Sequence, residues 1–210
     1  DDFNVTSDNY SNIEVVVVDG YLEITPITEA IKVTITGNHA SKVYNGTEQN
    51  VTGYTTDVVD SSITVSLKDV NKAIAKGTNA DTYYMGLTKD DFNVTSDNYS
   101  NIEVVVVDGY LEITPIMTEV MVKITGNTKT VTYNGQEQKV EGYDYTVTEG
   151  IDKSQITVAL INGKTAEAKG INPDTYYMGL SKETFTVASK NYGNIAVIVC
   201  LLYTSDAADE

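Results

Sequence analysis

The chain has 210 residues, 41% of them hydrophobic, with 15 Tyr, no Trp, and 30 acidic against 14 basic side chains, for a net charge of -16 at pH 7. Such an excess of negative charge repels phosphate backbones and anionic head groups, which argues against a nucleic-acid or membrane-surface partner. No stretch is long and apolar enough to span a bilayer as a helix, and the abundance of Val, Ile, Thr and Tyr points to strands.

The first element met along the chain is also the first repeat. Asp1–Ile27 reads DDFNVTSDNYSNIEVVVVDGYLEITPI, and Asp90–Ile116 matches it residue for residue. The same 89-residue offset carries Tyr44-Asn45-Gly46 onto Tyr133-Asn134-Gly135 and Gly53-Tyr54 onto Gly142-Tyr143. Farther on the offset is 93: Thr82–Leu87 recurs as Thr175–Leu180 and Phe92 as Phe185, so the second copy carries four extra residues between Tyr143 and Ile156. A period this long is domain-sized, unlike that of solenoids, whose short units cannot bury a face alone. The expected layout is residues 1–26 as the end of a preceding repeat, 31–115 as a complete repeat, and 120–199 as a repeat that stops short. Pro26 and Pro115 close units, because proline cannot extend a hydrogen-bonded ladder. Both true ends of the protein are expected to lie outside this chain.

Within the complete repeat, Ile31, Val33 and Ile35 alternate with Lys32, Thr34 and Thr36, the period of a half-buried strand that Gly37-Asn38 ends. Asn45-Gly46 is expected to make a tight hairpin turn into a strand through Val51–Tyr54. Ile63, Val65 and Leu67 predict another strand, and Ala73–Lys76 a weaker one, with a helical turn over Asn71–Ala75 as the alternative. Tyr83, Met85 and Leu87 share a face, with Tyr84 and Gly86 opposite. Ile102–Val107 and Tyr110–Thr114, joined by Asp108-Gly109, read as the clearest hairpin. About seven short strands in a unit of this size is the density of an immunoglobulin-like β-sandwich. Tyr84 and Tyr177 are expected to bury their rings rather than form a sugar-stacking platform. The whole reading requires each unit to close by itself, with Tyr44 and Tyr133 in like environments.

Tyr-Asn-Gly, then Gly-Thr-Asn-Ala-Asp-Thr-Tyr (Gly77–Tyr83), Asn98-Tyr99 and Asp-Gly-Tyr-Leu-Glu-Ile-Thr-Pro (Asp108–Pro115) together resemble the bacterial Ig-like and MBG-type repeats of large surface proteins and adhesins. The resemblance implies an extracellular, cell-surface setting in a bacterium, with the domains serving as stalk or adhesive modules. The anchor, signal peptide and any terminal binding domain would lie outside this chain. Some relatives adopt a β-grasp arrangement with a short helix, which stands as the alternative fold. The last eleven residues, CLLYTSDAADE (Cys200–Glu210), break the repeat and resemble the in-frame translation of a transposon-derived sequencing adapter. On that reading the one cysteine is not native to the fold and carries no redox argument.

The one histidine, His39, falls in an expected loop and is replaced by Thr128 in the second copy. Asp1-Asp2 and Asp90-Asp91 read as solvated strand edges, and no phosphate loop, zinc spacing or Ser-His-Asp set is present. Thr95-Ser96-Asp97-Asn98 and Asn79-Ala80-Asp81 fit no calcium-loop spacing and read as Asx-type turns. Asn4, Asn9, Asn45, Asn50, Asn93 and Asn98 fall in N-x-Ser/Thr frames, expected by chance in so Asn- and Thr-rich a chain. A Lys–Asn isopeptide crosslink finds no partner set: Lys32 becomes Met121, and Lys76 and Lys169 recur without the acid and Asn that must accompany them. No enzymatic activity, cofactor, metal or catalytic residue is therefore expected. The functional expectation is a structural spacer of a surface protein, likened to an adhesin stalk, whose contacts are neighbouring repeats of the same chain. The alternative is a repeated module binding a host glycan or surface protein, gaining avidity by number. Solvent-facing tyrosines repeated in each unit would favour that alternative. Finally, strand addition between the leading hairpin and the shortened second unit, within or between molecules, would cover an exposed edge. An unpaired Ile13–Thr25 counts against it, and Val197–Tyr203 is the substitute strand.

Overall fold

A computed structural model describes residues 3–200. The fold is all-β: among the described residues the helical pieces are three single 3-10 turns, so the short helix of the β-grasp alternative does not form there. The first unit runs through β1 (Ile31–Gly37), β2 (His39–Val43), β3 (Gln49–Thr52), β4 (Tyr54–Thr56), β5 (Thr64–Leu67), β6 (Ile74–Gly77), β7 (Asp81–Tyr84), β8 (Phe92–Thr95), β9 (Ile102–Val107) and β10 (Tyr110–Thr114). The second runs through β11 (Val120–Gly126), β12 (Gln138–Glu141), β13 (Tyr143–Val147), β14 (Thr157–Leu160), β15 (Glu167–Gly170), β16 (Phe185–Ala188) and β17 (Ile195–Cys200).

The expected alternation is seen in β1, where Val33 and Ile35 are buried while Lys32 faces solvent. Burying side chains of this size contributes about 1.5–3 kcal/mol each. β1 lies between β4, antiparallel, and β9, parallel; β10 lies between β2, parallel, and β7, antiparallel; β3 pairs with β6 and β5 with β8. These parallel pairs depart from the antiparallel sheets of the immunoglobulin-like sandwich. Ile31 faces Ile102 and His39 faces Tyr110, so both parallel pairings keep one register, 71 residues apart. In effect β1-β2 and β9-β10 form one long parallel ribbon that changes sheet at Gly37-Asn38 and Asp108-Gly109.

That geometry corrects two expected hairpins. β9 and β10 do not pair, and Gly109 lacks the positive φ that a tight Asp-Gly turn needs. Asp108 instead braces the corner, its carboxylate accepting from the N–H groups of Gly86 (3.0 Å) and Leu87 (2.9 Å). Asn45-Gly46 is a turn, with Gly46 at φ 79 and the Asn45 side chain accepting from Thr47 N–H, but it joins β2 to β3 in a different sheet. The Ala73–Lys76 strand forms as β6, after a turn in which Lys72 N–H reaches the Asp69 carbonyl. Met85 and Leu87 are buried and Tyr84 is outside, as the alternation requires.

The second unit repeats much of this. β11 lies between β13 and β17 as β1 lies between β4 and β9, and β12–β15 and β14–β16 match β3–β6 and β5–β8. Tyr143 meets Phe185 edge-on at 4.7 Å as Tyr54 meets Phe92 at 5.0 Å. The four inserted residues lengthen β13 and add a 3-10 turn, Lys153–Gln155, capped by Asp152. Two hydrophobic clusters result, one around Ile35 and Leu111 and one around Val122 and Ile124, with Tyr44 packing against both.

One sheet is not repeated. Among the described residues nothing occupies the place of β10, and the counterparts of β2 and β7, residues 128–132 and 174–177, belong to no strand. The requirement that Tyr44 and Tyr133 share an environment therefore fails: Tyr44 packs between the units, whereas Tyr133 is 59% exposed. The second unit is not closed as the first is. Val197–Cys200 belongs to β17 and takes the place of β9, so it is no substitute for β10. Leu201–Tyr203, the rest of the adapter-like tail, and Asp1-Asp2 lie outside the described residues. The leading segment forms no strand, and Ile13–Thr25 pairs with no other strand; strand addition within one chain is thus overturned.

The ribbon crossing yields a contrast. A Cβ on Gly37 would collide with the backbone of Gly109, whereas among the described residues one on Gly126 would meet only the side-chain ends of Leu180 (2.9 Å) and Met178 (3.1 Å). Gly37→Ala is expected to destabilise the first unit by about 1–3 kcal/mol, the cost of overpacking against something that cannot yield. Gly126→Ala should cost clearly less, because flexible side chains can move. Thermal unfolding of the two variants checks this, and equal losses would contradict it.

Candidate functional site: the joint between the units

The most built polar site among the described residues lies where the units meet. On the second unit Ser189 Oγ accepts from the N–H groups of Asn191 (3.2 Å) and Tyr192 (3.3 Å), folding a short turn between β16 and β17 that presents Asn191 to the first unit. On the first unit the turn Asn79-Ala80 and the start of β7 face it. Asn191 Oδ1 accepts from Ala80 N–H (2.8 Å), and its Nδ2 donates to Asn79 Oδ1 (3.0 Å) and Gln155 Oε1 (2.6 Å). Its own carbonyl accepts from Ile116 N–H (2.9 Å). Asn191 is only 2% exposed. A buried amide with its hydrogen-bonding groups engaged fixes geometry, since any other docking angle strands polar atoms without partners.

Apolar and charged contacts flank this latch. Ile116 bridges Tyr192 in a short parallel ladder, and the Tyr44 ring meets Tyr192 edge-on at 6.0 Å. Lys190 Nζ donates to Asp81 Oδ2 at 2.6 Å. The Lys190 ammonium, followed by Thr82 N–H, holds the Asp81 carboxyl below its ordinary range, and Asp81 in turn raises Lys190. Burial pushes the Tyr192 hydroxyl up. Before the first unit the linker docks alike: Ile27 N–H reaches the Asn98 carbonyl (2.8 Å) and Ser100 N–H the Ile27 carbonyl (3.0 Å). There Tyr99 OH donates to Asp60: the Ser62 N–H, followed by the Tyr99 hydroxyl, holds the Asp60 carboxyl below its ordinary range, and the same bond to Asp60 raises Tyr99.

The structure places the chemically interesting residues elsewhere. His39 opens β2 rather than sitting in a loop, and it stacks on Tyr110 at 5.5 Å. Asp90 and Asp91 lie in a 3-10 turn, where Asp91 accepts from Thr88 N–H and Oγ1. Asn79 and Asp81 serve the joint, and Ser96 Oγ accepts from Asn98 N–H, so the loops considered for calcium are turn and contact residues. Among the described residues no group of three His, Cys, Asp or Glu side chains gathers as a metal site. Lys76 and Lys169 face Glu48 and Glu167 at 3.6 Å each. Tyr84 and Tyr177 do not bury their rings: they are 68% and 62% exposed, because each lies on the face opposite the buried Met85 or half-buried Met178. Tyr84, Tyr110 and His39 instead form a row across β7, β10 and β2, with Tyr84 and Tyr110 6.1 Å apart.

Asn98-Tyr99 stands out in the sequence as a landmark of the repeat, whereas Asn191 is not legible there as a latch. The available signal was the return of Asn-Tyr at Asn191-Tyr192 beside Lys190, opposite in charge to Asp97 at the matching place. No protein-family model matches the chain, and no curated protein or solved structure matches it either.

The pH dependence follows from the Asp81–Lys190 pair. Asp81 titrates below its ordinary 3.8, so its contribution is fully present above that pH and is lost as pH falls through the lowered value. Lys190 titrates above 10.5, so its contribution is present below that pH and is lost as pH rises through the raised value. Chemical shifts of residues 79–81 and 189–192 are expected to stay constant from pH 5 to pH 9, within that window, and to move outside it. A transition centred near neutrality would contradict the pairing.

Proposed function

We propose that this chain is a spacer segment of a bacterial cell-surface protein, a run of immunoglobulin-like or MBG-type repeats that holds a distal part of an extracellular, adhesin-like molecule away from the cell wall. The observation that carries this reading is the Asn191 latch. A stalk needs successive units fixed in orientation, and a buried, fully bonded amide across the joint supplies that more specifically than an apolar contact does. Recurrence of the sequence, exact between Asp1–Ile27 and Asp90–Ile116, supports the same reading, since reach needs many equivalent units rather than distinct sites. The reading assigns no catalytic role to any residue.

The row of exposed Tyr84 and His39 with half-buried Tyr110 between them favours a second reading, a module that stacks on sugar rings or on a host surface protein. Exposure of both Tyr84 and Tyr177 is the repeated, solvent-facing tyrosine pattern such a module would have.

Spin labels at Glu103→Cys and Lys182→Cys, in a Cys200→Ser background, measure the joint directly. One narrow inter-unit distance is expected, broadening in Asn191→Ala, which leaves Asn79, Gln155 and Ala80 N–H without their partner at a cost of about 1–3 kcal/mol. A broad distribution in the parent chain would overturn the spacer reading. Binding on a glycan array that Tyr84→Ala abolishes would favour the second.

A further inference from the structure

Among the described residues the second unit has no counterpart of the β2-β10-β7 sheet, and in its place lies a groove of about 370 Å³, lined by Lys129, Val131, Tyr133, Ala168, Ile171 and Tyr176 among others. Val131, Tyr133, Ile171 and Tyr176 are 46%, 59%, 49% and 43% exposed, an unusual amount of apolar surface to leave in one place. In the first unit the same position is filled. There β10 lies between β2 and β7, and its Leu111 and Ile113 are 0% and 2% exposed.

The chain carries a second copy of that filling strand. Tyr21-Leu22-Glu23-Ile24-Thr25 is identical to Tyr110–Thr114, and it stands in solvent with Leu22 85% and Ile24 84% exposed. Both halves of an interaction are therefore present in one molecule that does not bring them together.

We propose that the groove of the second unit is a strand-acceptor site and that its occupant is Tyr21–Thr25 of a second copy of this chain. The strand enters as β10 does in the first unit, parallel to residues 128–132 and antiparallel to residues 174–177. By that register Leu22 comes opposite Lys129 and Tyr176, and Ile24 opposite Val131 and Asp174, as Leu111 and Ile113 come opposite Ala40, Tyr83, Lys42 and Asp81. The corner that receives the strand is already shaped. Gly179 holds φ 66 where Gly86 holds φ 69, so the N–H groups of Gly179 and Leu180 are placed to donate to the Asp19 carboxylate as those of Gly86 and Leu87 donate to Asp108. Charge agrees at Lys129: it lines the groove beside Lys139 and Lys169, which pair with Glu141 and Glu167, and the incoming segment brings Asp19 and Glu23. Main-chain pairing supplies the affinity and the alternate apolar side chains the specificity. Reciprocal exchange closes a dimer, and one-way exchange builds open chains.

Sedimentation equilibrium on the whole chain, beside Leu22→Asp/Ile24→Asp, tests this. Both substituted side chains stand in solvent in the single chain, so the variant leaves the two cores untouched. The parent chain is expected to associate with rising concentration, and the variant to associate at least tenfold more weakly. A synthetic peptide spanning Asp19–Pro26 should dissociate the parent assembly and shift the amide signals of residues 128–132 and 174–177. A parent chain that stays monomeric at every concentration, an assembly indifferent to the double substitution, or peptide shifts that fall elsewhere would each overturn the proposal.

Discussion

The architecture depends on one strand that two others need. β10 offers a parallel ladder to β2 on one side and an antiparallel ladder to β7 on the other, and its Leu111 and Ile113 complete the core beneath. Neither flanking strand has another partner in that sheet. Where β10 is present three strands form; where no described residue takes its place, equivalent residues such as Thr175 and Tyr176 fall in no strand, and Tyr176, although its ring lies over Gly170 as Tyr83 lies over Gly77, is left 43% exposed. Backbone groups pair cooperatively or not at all, so a sheet loses its edges together with its centre.

The other sheet survives because its centre is local to the unit. β11 finds β13 and β17 just as β1 finds β4 and β9, and Val120, Val122 and Ile124 are as buried as Val33 and Ile35. The bend at Gly37 and Gly109 links the two sheets, since the ribbon changes sheet only where two backbones pass without a Cβ between them. Orientation between units is then set by a separate device, the Asn191 amide, which touches neither core strand nor ribbon.

Much of the local structure was legible in the residues. The alternation of Ile31, Val33 and Ile35 and of Val65 and Leu67 is a direct imprint of the pleat, and each forms with the expected face inward, while Met85 and Leu87 are buried just past the end of β7, on either side of Gly86 at φ 69. Pairing was less legible. Asp108-Gly109 carries the residue types of a hairpin turn, yet the Asp108 carboxylate is engaged by Gly86 and Leu87, twenty-odd residues back, and that long-range contact has no signature in a local pattern. Tyr84 was misread for a related reason: the ring was assigned a core role by composition, whereas the parity of its strand sends it outward beside Tyr110 and His39. The Asn191 latch was hidden because a buried asparagine and a turn asparagine look the same until the facing unit is in place.

Hydrogen exchange at high dilution, followed residue by residue, tests the dependence on β10 most directly. The amides of His39–Val43 and Asp81–Tyr84 should exchange slowly, while those of residues 128–132 and 174–177 exchange at nearly the rate of an open chain. Equal protection of the two sets would contradict it, because a sheet would then have formed around an absent centre.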